Sequence, residues 1–266
     1  MDDAAKNAGI DRNLSHRLRL ALTADKDELF QVMQEQSAEA LLAALRNPAL
    51  DEHHLLALLA RRGVPAEVFR ALHTGTHLPE AYPVRLALAC HPETPAHIAL
   101  ALLPQLYLFD LLKICTIPGI GQDQRLAAER TIIQRLPAQP LGNKLTLARR
   151  GTAAVVEALL REGVPPVVEA CLDNPRLREG TLYQFINSAA STAETISMIA
   201  RSGRWKGRPG IRLAILKNPR TPAIWFTLFL PGLPTPTLRE ILAAPRLSTA
   251  QKELVRQAMG SRGGTR

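Results

Sequence analysis

Residues Ile211–Leu233 read IRLAILKNPRTPAIWFTLFLPGL, and the fold is decided by where else that phrase occurs. Val84–Leu106, VRLALACHPETPAHIALALLPQL, matches it without a gap at ten positions, among them Pro92/Pro219, Thr94/Thr221, Pro95/Pro222 and Pro104/Pro231. The copies stand 127 residues apart. Before the Asn218-Pro219 step, Ile211, Ala214 and Ile215 fall at helical spacing, and Ile224, Leu228 and Phe229 do so after it. Two short helices joined by a tight turn are predicted. Asn218 is expected in the left-handed conformation that ends a helix, since Pro219 cannot continue one. Thr221 is expected to cap the second helix through its hydroxyl, with Pro222 at the first helical position.

Repetition of a helical unit that buries its apolar face only against its neighbours is the mark of a solenoid. Composition agrees. Of 266 residues 46% are hydrophobic but only 4% aromatic, so Leu and Ala carry the core and favour helices over sheets. The 20 prolines fall mostly at the ends of apolar runs, where they punctuate helices. The expected fold class is all-α, an α-solenoid of stacked short helices with a right-handed superhelix.

Outward from the central phrase, residues 1–36 read as an N-terminal cap: Leu14, Leu18 and Leu22 form one stripe, and Asp25 with Glu28 gives a D-x-x-E helix start. Residues 37–259 read as the repeat domain, with Asp51 as a helix N-cap, and 260–266 as a disordered tail. A second phrase, Leu59-Ala60-Arg61-Arg62-Gly63, returns at Leu147–Gly151, Leu160–Gly163 and Ile199–Gly203, with Gly as the left-handed terminator. Proline anchors at 48, 92, 137, 175, 219 and 245 suggest a period near 44, irregular at the third and last copies.

Charge is uneven. The net is +9, yet residues 201–266 carry thirteen Lys or Arg against Glu240 and Glu253, leaving −2 for the other 200 residues. A basic quarter on a near-neutral body is a footprint for an acidic partner: nucleic acid, anionic lipid or an acidic protein face. Met1–Lys6 lacks the basic start and apolar core of a signal peptide, and Ile98–Ile117 is interrupted by Pro104, Asp110 and Lys113, so neither export nor a membrane span is expected. Cys90, Cys115 and Cys171, odd in number and far apart, suit a reduced cytoplasm.

The phrase x-R-L-A-x-x-x-(N/H)-P-x-T-P, followed by L-(L/F)-L, at 84–103 and 211–230 resembles the bacterial leucine-rich repeat variant units and, more broadly, HEAT-like repeats. The resemblance implies an α-solenoid scaffold. One variant family carries an iron–sulfur cluster on a cysteine-rich segment outside its repeats; this chain has no such segment, and the cofactor is not carried over. The chain is also similar in charge and helix content to alkylpurine DNA glycosylases, which use a catalytic Asp beside aromatic residues facing DNA. Trp205 and Trp225 have no aspartate near them in sequence, and no catalytic residue is carried over.

Two groups of residues are candidates for binding. Arg61, Arg62, Arg149, Arg150, Arg161 and Arg201 end helices at matching places in the second phrase, and stacking would line them into a basic ridge along a phosphate backbone. The competing cause is the preference of cations for helix C-termini, about 0.3–1 kcal/mol each. The other group is the loop Arg201–Gly210, where Arg204, Trp205, Lys206 and Arg208 combine cations with an exposed ring able to stack a base or touch an anionic membrane; alternatively the ring folds back over the core. Trp225, Phe226 and Phe229 are expected in the core. His53, His54, His73 and His77 lack the spacing of a metal helix, Gly119-Ile120-Gly121 lacks a preceding strand, and no nucleophile motif occurs, so no metal, cofactor or catalytic residue is assigned. The expected function is a non-enzymatic scaffold that takes a protein partner on its concave face and basic C-terminal quarter. Nucleic-acid binding through the ridge and the Trp205 loop is the alternative, and a peripheral membrane contact through that loop the weakest.

Overall fold

The computed structural model describes residues 2–75 and 81–263, and every regular element among them is helical. The chain divides into two compact units, Met1–Ile132 and Ile133–Arg266. The first holds α1 (Asp2–Thr23), α2 (Lys26–Val32), α3 (Ala38–Ala44), α4 (Glu52–Leu59), α5 (Ala66–Thr74), α6 (Tyr82–Cys90), α7 (Ala96–Leu102) and α8 (Leu108–Ile114), and the division falls inside α9 (Gln122–Arg135). The second holds α10 (Leu141–Arg150), α11 (Ala153–Glu162), α12 (Pro165–Leu172), α13 (Glu179–Ile186), α14 (Ala193–Arg201), α15 (Pro209–Lys217), α16 (Ala223–Phe229), α17 (Thr235–Leu242) and α18 (Thr249–Gly263).

From α1 to α7 in the first unit and from α10 to α18 in the second, helices pack on their next-but-one neighbours, and several pack on the one beside them as well. In the first unit α1, α3, α5 and α7 form one layer and α2, α4 and α6 the other; in the second, α10, α12, α14, α16 and α18 face α11, α13, α15 and α17. This is the two-layer stacking of an α-solenoid.

The two units are copies of one another. Helices α4, α5, α6 and α7 begin and end 127 residues before α13, α14, α15 and α16, and a 3₁₀ turn at Leu103–Gln105 has its counterpart at Leu230–Gly232. The repeat seen in 84–106 and 211–233 therefore extends over each unit, carried elsewhere by few identities: Asn47-Pro48/Asn174-Pro175, Pro118/Pro245, Gln124/Gln251. The expected period near 44 is corrected. Asn47 and Asn174 follow first-layer helices, α3 and α12, whereas His91 and Asn218 follow second-layer helices, α6 and α15, so those anchors are not equivalent places. The division at 132–133 falls within the stretch 37–259. Gly260–Gly263 are helical in α18, and 264–266 lie outside the described residues.

One device fastens both layers. Asn47 Nδ2 donates to the carbonyls of Ala21 and Ala24, both at 2.9 Å, and Asn174 Nδ2 to those of Ala148 and Gly151, at 2.8 and 3.1 Å. Asn218 Nδ2 reaches Ile186 O, and His91 Nε2 lies 2.8 Å from Arg61 O. Each side chain thus satisfies end carbonyls of the previous helix in its own layer, groups that have no partner inside that helix. The other end accepts a backbone N–H two residues on, from Ala49, Glu93, Arg176 and Arg220. Asn218 accordingly sits at φ −86°, ψ 127°, not in the left-handed region: its side chain, fixed between two partners, sets the turn. Thr221 likewise does not cap α16; its hydroxyl donates back to Ile215 O, as Thr94 does to Leu88 O at 2.7 Å, and Pro222 is the N-cap. The expected caps at Asp25 and Asp51 are present.

Ile211, Ala214 and Ile215 are buried as their spacing predicts. In α16 the buried face is Trp225, Phe226 and Phe229, while Ile224 and Leu228 are 56% and 59% exposed. The larger rings take the core, and the Trp225 indole donates to Ser197 Oγ of α14 at 2.9 Å.

Candidate functional site

Four loops of the second unit run from a first-layer helix to a second-layer helix, and the first three of them in chain order are α10–α11, α12–α13 and α14–α15. These three lie side by side on one edge of that unit. Arg176 of the middle loop donates to Arg150 O at 3.1 Å, and Arg204 of the third donates to Asn174 O, Leu177 O and Pro175 O at 2.6, 3.1 and 3.3 Å. The edge carries Arg149, Arg150, Arg176, Arg178, Arg201, Arg204, Lys206 and Arg208, all exposed. Nearby carboxylates are few: Glu179 stands 3.9 Å from Arg208, and Glu169 and Asp173 line a groove of about 410 Å³ with Met198 and Arg201 between α12 and α14.

Six of the ten residues singled out by sequence are brought together here: Arg149, Arg150, Arg201, Arg204, Lys206 and Arg208. Arg176 and Arg178 join them unforeseen; the signal was their place just after Asn174-Pro175, one helix pair from the Arg201–Arg208 loop. Trp205 is also on this loop, and of the two placements expected for its ring the structure shows the one folded back over the core. Trp205 is 2% exposed, its indole donates to Leu172 O at 3.1 Å, and the Arg204 guanidinium covers its ring at 4.5 Å. Burying an indole with its N–H satisfied outweighs leaving it in water. Arg61 and Arg62 belong to the first unit, at the end of the second-layer helix α4, and Arg61 donates to Glu35 O. Arg161 lies within second-layer α11 and pairs with Glu157. Within the second unit Arg161 is thus set apart from Arg149, Arg150 and Arg201, because the repeated Arg-Gly phrase closes helices of both layers.

The first unit serves as an internal control for what the fold itself needs. At the counterpart positions it has Leu22, Thr23, Ala49, Asp51, Thr74 and Ala81 in place of Arg149, Arg150, Arg176, Arg178, Arg201 and Arg208. His77 and Pro79, counterparts of Arg204 and Lys206, lie outside the described residues. None of the eight is a cation. Arg178 and Arg208 go further: they are the N-cap residues of α13 and α15 and make no capping bond, whereas Asp51 caps α4 through the N–H groups of His53 and His54. A cation at a helix N-terminus opposes the helix dipole, so the C-terminal preference cannot account for them. Asymmetry reaches the whole copies. Residues 133–266 hold 20 Lys and Arg against 8 Asp and Glu, a net +12, and residues 1–132 hold 13 against 16, a net −3.

Elsewhere the chemistry is structural. His54 is buried, with Nδ1 against Asp51 and Nε2 2.8 Å from Lys26 O; His91 is a fastener; His77 lies outside the described residues. No group of three or more potential metal ligands occurs among the described residues. Burial pushes the Cys90 thiol up to about 11 and those of Cys115 and Cys171 to about 12, which keeps them protonated at neutral pH. A groove of about 510 Å³ between α16 and α18 is lined by Phe226, Leu230, Leu254 and Ala258 with Thr227 and Gln257. No described helix is long and apolar enough to cross a membrane. Comparison with protein-family models, curated proteins and solved structures gives no match, so the site stands on its own geometry.

Proposed function

We propose that this protein is a non-enzymatic helical-repeat scaffold, resembling leucine-rich repeat variant and HEAT-like solenoids, whose second unit holds an acidic macromolecule along its basic edge. One observation carries the reading: eight cations line one edge of one copy, three in the last turns of α10 and α14 and five in the loops beside them, at positions where the other copy has none, and two of the five are at helix N-caps that favour Asp, Asn, Ser or Thr. Charges that work against the local helix and are absent from its twin answer to something outside the fold. A cytoplasmic setting belongs to the proposal, in keeping with three free thiols.

The test is retention on immobilised heparin and on poly-glutamate under a rising salt gradient. Arg149→Gln/Arg178→Gln/Lys206→Gln is compared with Arg62→Gln/Arg239→Gln/Arg246→Gln, which removes the same charge elsewhere. The edge variant is expected to elute markedly earlier than both wild type and control. Equal elution of the two variants, or no retention of the wild type, overturns the reading.

A further inference from the structure

We infer that the acidic partner of the basic edge is a nucleic-acid duplex, gripped by its phosphate backbone without reading of bases; this rests on the scaffold reading above. Three features of the edge separate a phosphate backbone from an acidic protein face or a single strand.

The first is composition. Seven of the eight cations are arginines, whose planar fork matches phosphate oxygens in pairs. Arg149, Arg150, Arg178 and Lys206 are exposed and make no side-chain hydrogen bond among the described residues. Arg176 and Arg204 tie the loops to one another while leaving their charge on the edge.

The second is what the edge lacks. Protein interfaces are anchored by apolar and aromatic side chains at their centre. The large exposed apolar residues of the second unit are Leu141, Tyr183, Ile224 and Leu228, and none lies in the three loops. Burial of Trp205 also removes the platform on which an unpaired base would stack, and Tyr183, a turn into α13, is the single exposed ring among the unit's described residues. Tight single-strand binding uses successive rings. An edge with cations and no platform fits a partner whose bases stay paired inside.

The third is spacing. Packed helices lie about 8–10 Å apart, so three successive loops span roughly 16–20 Å, over which a duplex presents about ten phosphate charges. Those charges are spread round the duplex, and eight cations on the edge are enough for the share that faces one side.

The experiment is fluorescence anisotropy of the full-length protein with a 20-base-pair DNA duplex, the same length of RNA duplex, each single strand, and labelled poly-glutamate, from 50 to 200 mM salt. Expected is duplex binding stronger than single-strand binding, with a steep salt slope. The Arg149→Gln/Arg178→Gln/Lys206→Gln variant should bind at least tenfold more weakly at 50 mM salt, with a slope shallower by about three, near 0.9 per lost phosphate contact. The Arg62→Gln/Arg239→Gln/Arg246→Gln control should lose less than threefold. Both variants are checked for unchanged helicity and melting temperature. A single strand binding as tightly as the duplex overturns the inference, as does edge-dependent binding of poly-glutamate alone, which leaves the scaffold reading intact. Absence of binding to every polyanion removes both. The DNA and RNA arms identify which duplex the edge accepts.

Discussion

Asn174 has no exposed surface, and its amide closes three bonds: two carbonyls of the α10 end on one side and the Arg176 N–H on the other. Asn174→Ala leaves those groups buried without partners, an expected loss of about 2–3 kcal/mol. Urea unfolding reads this as a lower midpoint with unchanged slope. Asn174→Asp is no substitute, because a carboxylate cannot donate to carbonyls. Tyr82 offers a pH test. Its hydroxyl donates to Asp110 Oδ2 at 2.6 Å and accepts the Tyr107 N–H at 3.0 Å. Burial, and then the Asp110 carboxylate, push Tyr82 up to about 12, and Lys113 and Tyr82 hold Asp110 below its ordinary value. The raised group stabilises the fold in full below its unfolded value near 10, with that contribution lost between about 10 and 12. Ultraviolet titration should show one tyrosine ionising near 12, and Asp110→Asn should bring it down.

At the scale of a helix, α4 and α13 begin at the same place in their copies with opposite N-caps, Asp51 and Arg178. Arg178→Asp should therefore raise stability by about 0.5–2 kcal/mol, read as a higher melting temperature, while weakening retention on heparin. A fall in both would mean that Arg178 serves the fold. Much at this scale was legible in the sequence. The helix pairs, the capping box at Asp25 and Glu28, and the core role of Trp225, Phe226 and Phe229 follow from spacing and propensity. Layer membership did not. A Pro anchor looks the same after a first-layer or a second-layer helix, so six anchors merged into a false period. Asn218 and Thr221 misled for a related reason: both side chains act on helices earlier in the chain, and local rules see only the turn they stand in. Trp205 reads either way from sequence because its Gly-rich, basic neighbours describe the loop, whereas the carbonyl that takes its indole N–H comes from Leu172, thirty-three residues away.

Across the whole molecule, the basic quarter noticed in residues 201–266 is part of a larger division, +12 on one copy and −3 on the other, with the cations of the edge drawn from 149 to 208. Sequence showed the excess and most of the residues but not their side-by-side placement, which depends on three loops sharing an edge. Net charge sets encounter rates with a polyanion, and local geometry sets how firmly it is held. Salt should consequently slow association more than it speeds dissociation, which stopped-flow mixing over the same salt range distinguishes.

The constant 127-residue offset has a practical consequence. Helices α4 to α7 and their twins agree in length to the residue, and the loop before α4 keeps the same offset, with Asn47 and Asn174 fastening it alike. Ala49→Arg and Asp51→Arg rewrite the α3–α4 loop in the idiom of Arg176 and Arg178 without adding or deleting a position. Such a graft should fold, at the cost of the Asp51 cap, and gain retention on heparin. Duplication of this kind gives a protein a spare: one half can keep the grammar of the fold while the other is free to change what it says to the outside.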